Sequence, residues 1–294
     1  MYKKKIYIHI ILILIIFLFF IIINNFLNKS IEKFNNDKTG ILFFCQGWTD
    51  IFNCLALINY YSINYSKLYV AIRNKGVEMI HFYVKDLKNI EIISYDDNVY
   101  CDGSICKDDE IINHLKLIKP DIFNNSKYLF HCWSDKFRSD SYKNKFSEIN
   151  SKDSENFVKN FYISYDIPYS VRVDYFIFSR NYELENLKYN EFVKENGEKY
   201  ILYHSNDDNI DFIINKNNKK YINLNKKTNI FFDYIKILEN SIEFHLIDSS
   251  WAAFIYLLNA KYSLFSNKKI YLYPKRNYIK MFKEPVLLNN WVFV

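Results

Sequence analysis

Residues 231–259 read FFDYIKILENSIEFHLIDSSWAAFIYLLN. From Phe231 to Glu239 the residues Tyr234, Ile235 and Leu238 share one helical face. Ile242-Glu-Phe-His-Leu-Ile247 reads as a strand, and Trp251 to Asn259 as a helix. Asp248-Ser249-Ser250 joins the last two. Helix, strand, polar loop and helix in that order are the grammar of a parallel sheet with crossover helices.

The same grammar extends outward. Lys199–Tyr203 and Tyr221–Leu224 read as strands before this stretch, and Tyr262–Phe265 and Lys269–Tyr273 as strands after it. Nearer the start, strands are expected at Ile41–Phe44, Leu68–Ile72, Ile90–Ile93 and Tyr128–His131, with helices at Asp50–Tyr61 and Val77–Leu87. Between the two series, Trp133 to about Asn196 is rich in Lys, Ser, Asp and Asn and offers one helix, Ser154–Asp166. The pattern divides the folded part into α/β halves at 39–170 and 171–294, both of ordinary domain size.

The N-terminus differs in kind. Ile6 to Ile23 is an unbroken apolar run except for His9, about 27 Å long as a helix and sufficient for a bilayer core. Lys3, Lys4 and Lys5 precede it and favour a cytoplasmic N-terminus. The run exceeds the apolar region of a cleaved signal and lacks a small-residue cleavage site. We therefore read 1–5 as a cytoplasmic tail, 6–27 as a single-pass anchor and 28–38 as a stem. The folded part is then lumenal or extracellular.

Composition restricts function mainly by exclusion. The chain has 34 Lys, 36 Asn and 42 Ile but only five Arg. These codons are A/T-rich, so the excess looks like a genomic imprint, and the net charge of +6 is no sign of a nucleic-acid partner. With five Gly there is no G-x-G-x-x-G, no P-loop and no G-x-S-x-G. None of the nineteen Asp forms Asp-x-Asp, a common metal-holding motif of nucleotide-sugar enzymes. The five Cys are odd in number and irregularly spaced, which favours free thiols. Asn-x-Ser sequons begin at Asn28, Asn64 and Asn124, a number that chance supplies in a chain with 36 Asn.

In open α/β sheets ligands bind beyond the carboxyl ends of strands. Cys45-Gln-Gly-Trp-Thr-Asp50 follows the first strand, where Gly47 permits a tight turn. Asp50 is either the N-cap of the next helix or a general base. Asp248, Ser249 and Ser250 precede a helix, where free N–H groups and hydroxyls suit a phosphate, although Ser is also a common cap. His204 and Ser205 open a polar cluster after another strand, as a diphosphate contact or as ordinary loop residues. Arg73 and Arg172 are candidate phosphate or carboxylate forks in a chain poor in Arg.

Three segments carry a resemblance: Phe44-Cys-Gln-Gly-Trp-Thr-Asp50 with its continuation to Leu55, Lys85–Ile93, and Phe231–Ser250. Together the chain resembles small GT-B-type glycosyltransferases of the heptosyltransferase kind. The resemblance implies two Rossmann-like domains facing a cleft, with the acceptor on the N-terminal side and a nucleotide-sugar on the C-terminal side. It implies Asp50 as the base and Ser249, Ser250 and His204 as donor contacts. No cofactor or metal is expected, the nucleotide-sugar being a substrate. The chain departs from the family pattern where Trp48 and Thr49 replace smaller residues and a second glycine is missing. That departure keeps a second reading in play, a membrane-tethered binding protein without catalysis.

Overall fold

The computed structural model describes residues 38–44, 47–96, 108–131, 157–205, 220–224, 230–273 and 289–294. The expected tail and anchor lie outside them. Among the described residues no helix is long and apolar enough to cross a membrane.

The first half is built on strands β1 (Thr39–Phe44), β2 (Lys67–Arg73), β3 (Ile90–Tyr95) and β4 (Lys127–His131), in the order β3-β2-β1-β4. Every pairing is parallel. The central strand β1 is buried from Gly40 onward, which explains its continuous apolar run in place of alternation. Gly40 permits the close approach of β4: a Cβ there would stand 2.3 Å from the Leu129 side chain. Helices α1 (Trp48–Cys54) and α2 (Ala56–Ser62) connect β1 to β2. Helix α3 (Val77–Val84) leads to β3, and α4 (Asp108–Ile118) and α5 (Pro120–Asn125) lead to β4. The single helix expected over Asp50–Tyr61 is thus two helices meeting at Leu55.

Between the sheets lie α6 (Phe157–Ile163), α7 (Val171–Asp174) and α8 (Tyr182–Asn196). The last falls where the sequence suggested a loose region, although its ends are well marked. Asn181 caps it by accepting the Leu184 N–H at 3.1 Å, and Gly197 ends it at φ 79°.

The second sheet contains β5 (Ile201–His204), β6 (Tyr221–Asn223), β7 (Phe244–Ile247), β8 (Ile270–Tyr273) and β9 (Trp291–Phe293). Their order is β6-β5-β7-β8-β9, again parallel throughout. A 3₁₀ turn at Phe231–Tyr234 runs into α9 (Ile235–Asn240), and α10 (Ser250–Tyr262) connects β7 to β8. The strand expected at Tyr262–Phe265 does not form. Helix α10 continues through Tyr262, and Ser263 then takes a left-handed cap at φ 56°.

The two halves share one core. Helix α10 is buried without interruption from Trp251 to Asn259, the mark of a helix covered all round, and it packs against α1 of the first half. Phe52 of α1 lies 5.0 Å from Phe254 of α10, ring centre to ring centre. Phe82 of α3 stacks at 5.0 Å on Phe232. Cys54, buried in this core, forms no disulfide among the described residues.

Candidate functional site

The carboxyl end of β1 leads into α1 through Gly47, which is extended (φ −70°, ψ 168°) and serves as the N-cap without a side-chain bond. Its carbonyl accepts the N–H groups of Asp50 and Ile51 at 3.2 and 3.1 Å. Asp50 is therefore not the cap. It stands half-buried in the first helical turn. Gly47 itself adopts a backbone conformation open to any residue.

At the end of β7 the chain turns through Asp248 and Ser249, both buried, into α10. Ser249 is the N-cap: its Oγ accepts the Ala252 N–H at 3.4 Å, and its carbonyl accepts the Ala253 N–H at 3.0 Å. Helix geometry then leaves the N–H groups of Ser250 and Trp251 with no acceptor inside the helix. Thirteen residues of aligned peptide dipole stand behind them. The cap reading of this loop holds for Ser249, and the half-buried Ser250 stands at the first helical position.

One phenylalanine brings the two loops together. Phe231 lies 6.1 Å from Trp48 and 4.7 Å from Phe52 on the α1 side. On the α10 side it lies 4.2 Å from Trp251 and 5.8 Å from Phe254. The first turn of α1, with Asp50, and the first turn of α10, with Ser250, therefore rest against a single ring.

His204 ends β5 opposite Leu246, two residues before Asp248. It is 6% exposed, and its Nδ1 has no hydrogen-bond partner among the described residues. Burial pushes its pKa down to about 4, so the ring is neutral near pH 7. Ser205 beside it is also buried. Arg73, at the carboxyl end of β2, is 2% exposed and sits in register with Tyr95.

Arg172 plays a different part from the substrate fork expected of it. It is 1% exposed. Its Nε and Nη2 both donate to Asn53 Oδ1, at 3.0 and 2.6 Å, and Nη1 donates to the Tyr169 hydroxyl at 2.8 Å. The guanidinium lies 4.5 Å from the ring centre of Tyr256 on α10. The side chain ties α1 to α10 inside the core.

Sequence reasoning missed Phe231, Asn53 and Asp233. Asp233 is buried in the 3₁₀ turn, with Oδ1 lacking a hydrogen-bond partner among the described residues. Desolvation pushes its pKa up to about 6, opposed by Lys188 and reinforced by Glu185. A lone acid inside Phe-Phe-Asp-Tyr was the available signal. Nearby, Arg180 binds Glu185 and Glu239 together, with closest contacts of 2.5 and 2.6 Å, and so pins the segment between the halves to α8 and α9.

No family model matches the chain, and no characterised protein sequence matches it. Among solved structures, the glycosyl transferase family 9 protein from Veillonella parvula DSM 2008 is similar, with 9% identity and a TM-score of 0.49 over 88% of this chain and 87% of that one.

Proposed function

We propose that the protein is a membrane-anchored glycosyltransferase that moves a sugar from a nucleotide-sugar to a hydroxyl acceptor. The observation that carries this reading is the meeting of the α1 and α10 first turns on Phe231. It puts a carboxylate-bearing turn and the N-terminus of α10 side by side, one from each half.

In this reading the Asp50 carboxylate accepts the proton of the acceptor hydroxyl as its oxygen attacks the sugar's anomeric carbon. The bond from that carbon to the diphosphate oxygen breaks, and the negative charge passes to the leaving nucleoside diphosphate. The N–H groups of Ser250 and Trp251 and the dipole of α10 stabilise that charge. His204, being neutral, adds a hydrogen bond without a counter-charge. Asp248 and Ser249 hold the loop in shape, and Ser205 completes the donor side. Arg73, at the carboxyl end of β2, supplies a cation in the acceptor half. The phosphates rest on a helix N-terminus, so the scheme assigns no step to a metal. The N-terminal run at 6–27 fixes the enzyme in a membrane with its folded part lumenal or extracellular.

The test is nucleotide binding and sugar transfer measured on the full chain in detergent. Asp50→Asn is expected to keep nucleoside diphosphate binding and lose transfer, whereas Ser250→Trp loses both. Trp48 and the missing second glycine favour the competing reading, a tethered binding protein. Binding that survives in Asp50→Asn while even the unmodified chain transfers no sugar, across a panel of donors and acceptors, would establish that alternative.

A further inference from the structure

We propose that Asn64 and Asn124 carry N-linked glycans, on the pole of the protein opposite the candidate site. This rests on the lumenal orientation proposed above and is independent of the transferase chemistry.

Asn64-Tyr-Ser66 and Asn124-Asn-Ser126 each place a hydroxyl two residues after the asparagine with no intervening proline. Matches to so short a pattern arise by chance, so the structure must decide whether each asparagine can bear a large polar group. Both are exposed. Asn64 lies in the turn after α2, its N–H bonded to the Tyr61 carbonyl at 3.0 Å. Asn124 is the penultimate residue of α5. Exposure is not automatic for asparagine in this protein: Asn53 is fully buried, and Asn259 is 5% exposed. A glycan at either of those would open the core.

Position adds a second argument. Asn64 stands three residues before β2, and Asn124 three residues before β4. These strands flank β1, whose Thr39 pairs with Lys67 and whose Gly40 pairs with Lys127. Both asparagines thus belong to the amino ends of the strands, whereas Asp50, Arg73 and Tyr95 follow or close the carboxyl ends. The six residues of β1 put about 20 Å between the two edges. Glycans at Asn64 and Asn124 would therefore leave the carboxyl edge open.

The modification is a group transfer. The Asn Nδ2 bonds to the anomeric carbon of an oligosaccharide carried on a polyprenyl diphosphate, the co-reactant of secretory membranes. The bond from that carbon to the diphosphate oxygen breaks, its electron pair stays with the diphosphate, and one amide proton is released. Ser66 and Ser126 keep their hydroxyls.

The experiment uses the full chain carrying Asn28→Gln and a reporter Asn-Ser-Thr appended after Val294, expressed in eukaryotic secretory cells. Peptide N-glycosidase should remove three mobility steps, and Asn64→Gln and Asn124→Gln should each delete one. Ser66→Ala and Ser126→Ala should delete the same steps while keeping both asparagines. Enzymatic release leaves Asp at each used site, which peptide mass spectrometry reads without regard to folding. A reporter step alone overturns the proposal and leaves the orientation standing. A reporter with one further step overturns the silent site. No step at all overturns the orientation, and the proposal with it.

Discussion

At the residue scale, the account places two titrating groups in opposition. His204 has its folded pKa near 4, below its ordinary 6.5, so its contribution to stability is present above pH 6.5 and is lost as pH falls toward 4. Asp233 has its folded pKa near 6, above 3.8, so its contribution is present below about pH 4 and is lost as pH rises through 6. The trends largely cancel between pH 4 and 6.5. Relative to the unmodified chain, Asp233→Asn should lose stability on acidification through that range, and His204→Gln should gain it. Thermal melts at several pH values check this, and parallel profiles for all three proteins would contradict it. Asp50 belongs to the same scale. Its replacement by Asn should lower kcat by about 10²–10⁴-fold with little change in nucleotide affinity, as removal of a general base requires. Loss of affinity in step with activity would assign it to binding instead.

At the level of elements, the most consequential contacts were the least legible. The sequence shows β1 as an apolar run, because burial on both faces leaves that mark, and it shows the polar loops that follow β1 and β7. Nothing in the sequence shows that Phe231 would reach both Trp48 and Trp251, since the three come from distant segments. Helix α8 escaped the sequence reading because it is largely polar and exposed. Its stability comes from caps, the Arg180 ion pairs and the Phe192–Tyr200 contact, not from a wide apolar stripe. The false strand at Tyr262–Phe265 shows the ambiguity of a short apolar run beside a helix end. Ser249→Ala should cost about 0.5–2 kcal/mol through the lost α10 cap and should weaken nucleotide binding as the first turn frays. At the other end of the helix, Ser263→Gly should stabilise the protein by up to about 1 kcal/mol, because glycine takes a left-handed cap without the Cβ penalty. Denaturant titration reads both changes.

At the scale of the whole molecule, the two sheets are joined through an aromatic and polar core. Phe52, Phe231, Phe232 and Phe254 pack across the halves, and Arg172 fastens Asn53 beside Tyr256. The scarcity of Arg singled out Arg172 as a candidate phosphate or carboxylate fork; the structure uses it to couple α1 and α10. Removal of that buried cation's side chain leaves Asn53 and Tyr169 without their donor, a large penalty in a dry interior. Arg172→Ala should therefore cost about 3 kcal/mol or more and loosen both loops together. The halves should unfold in one cooperative transition, and two resolved calorimetric peaks in the unmodified protein would contradict this.

The central claim is that the first turn of α10 holds the diphosphate of a nucleotide-sugar beside Asp50. Thermal shift against a panel of nucleoside diphosphates, on the full chain and on Ser250→Trp, tests it most directly. The account predicts that at least one nucleotide, at about a hundred times its Kd, stabilises the unmodified protein by about 2.7 kcal/mol and leaves Ser250→Trp unchanged. If no nucleotide raises the melting temperature, or if one raises it equally in both proteins, the diphosphate does not rest on the first turn of α10.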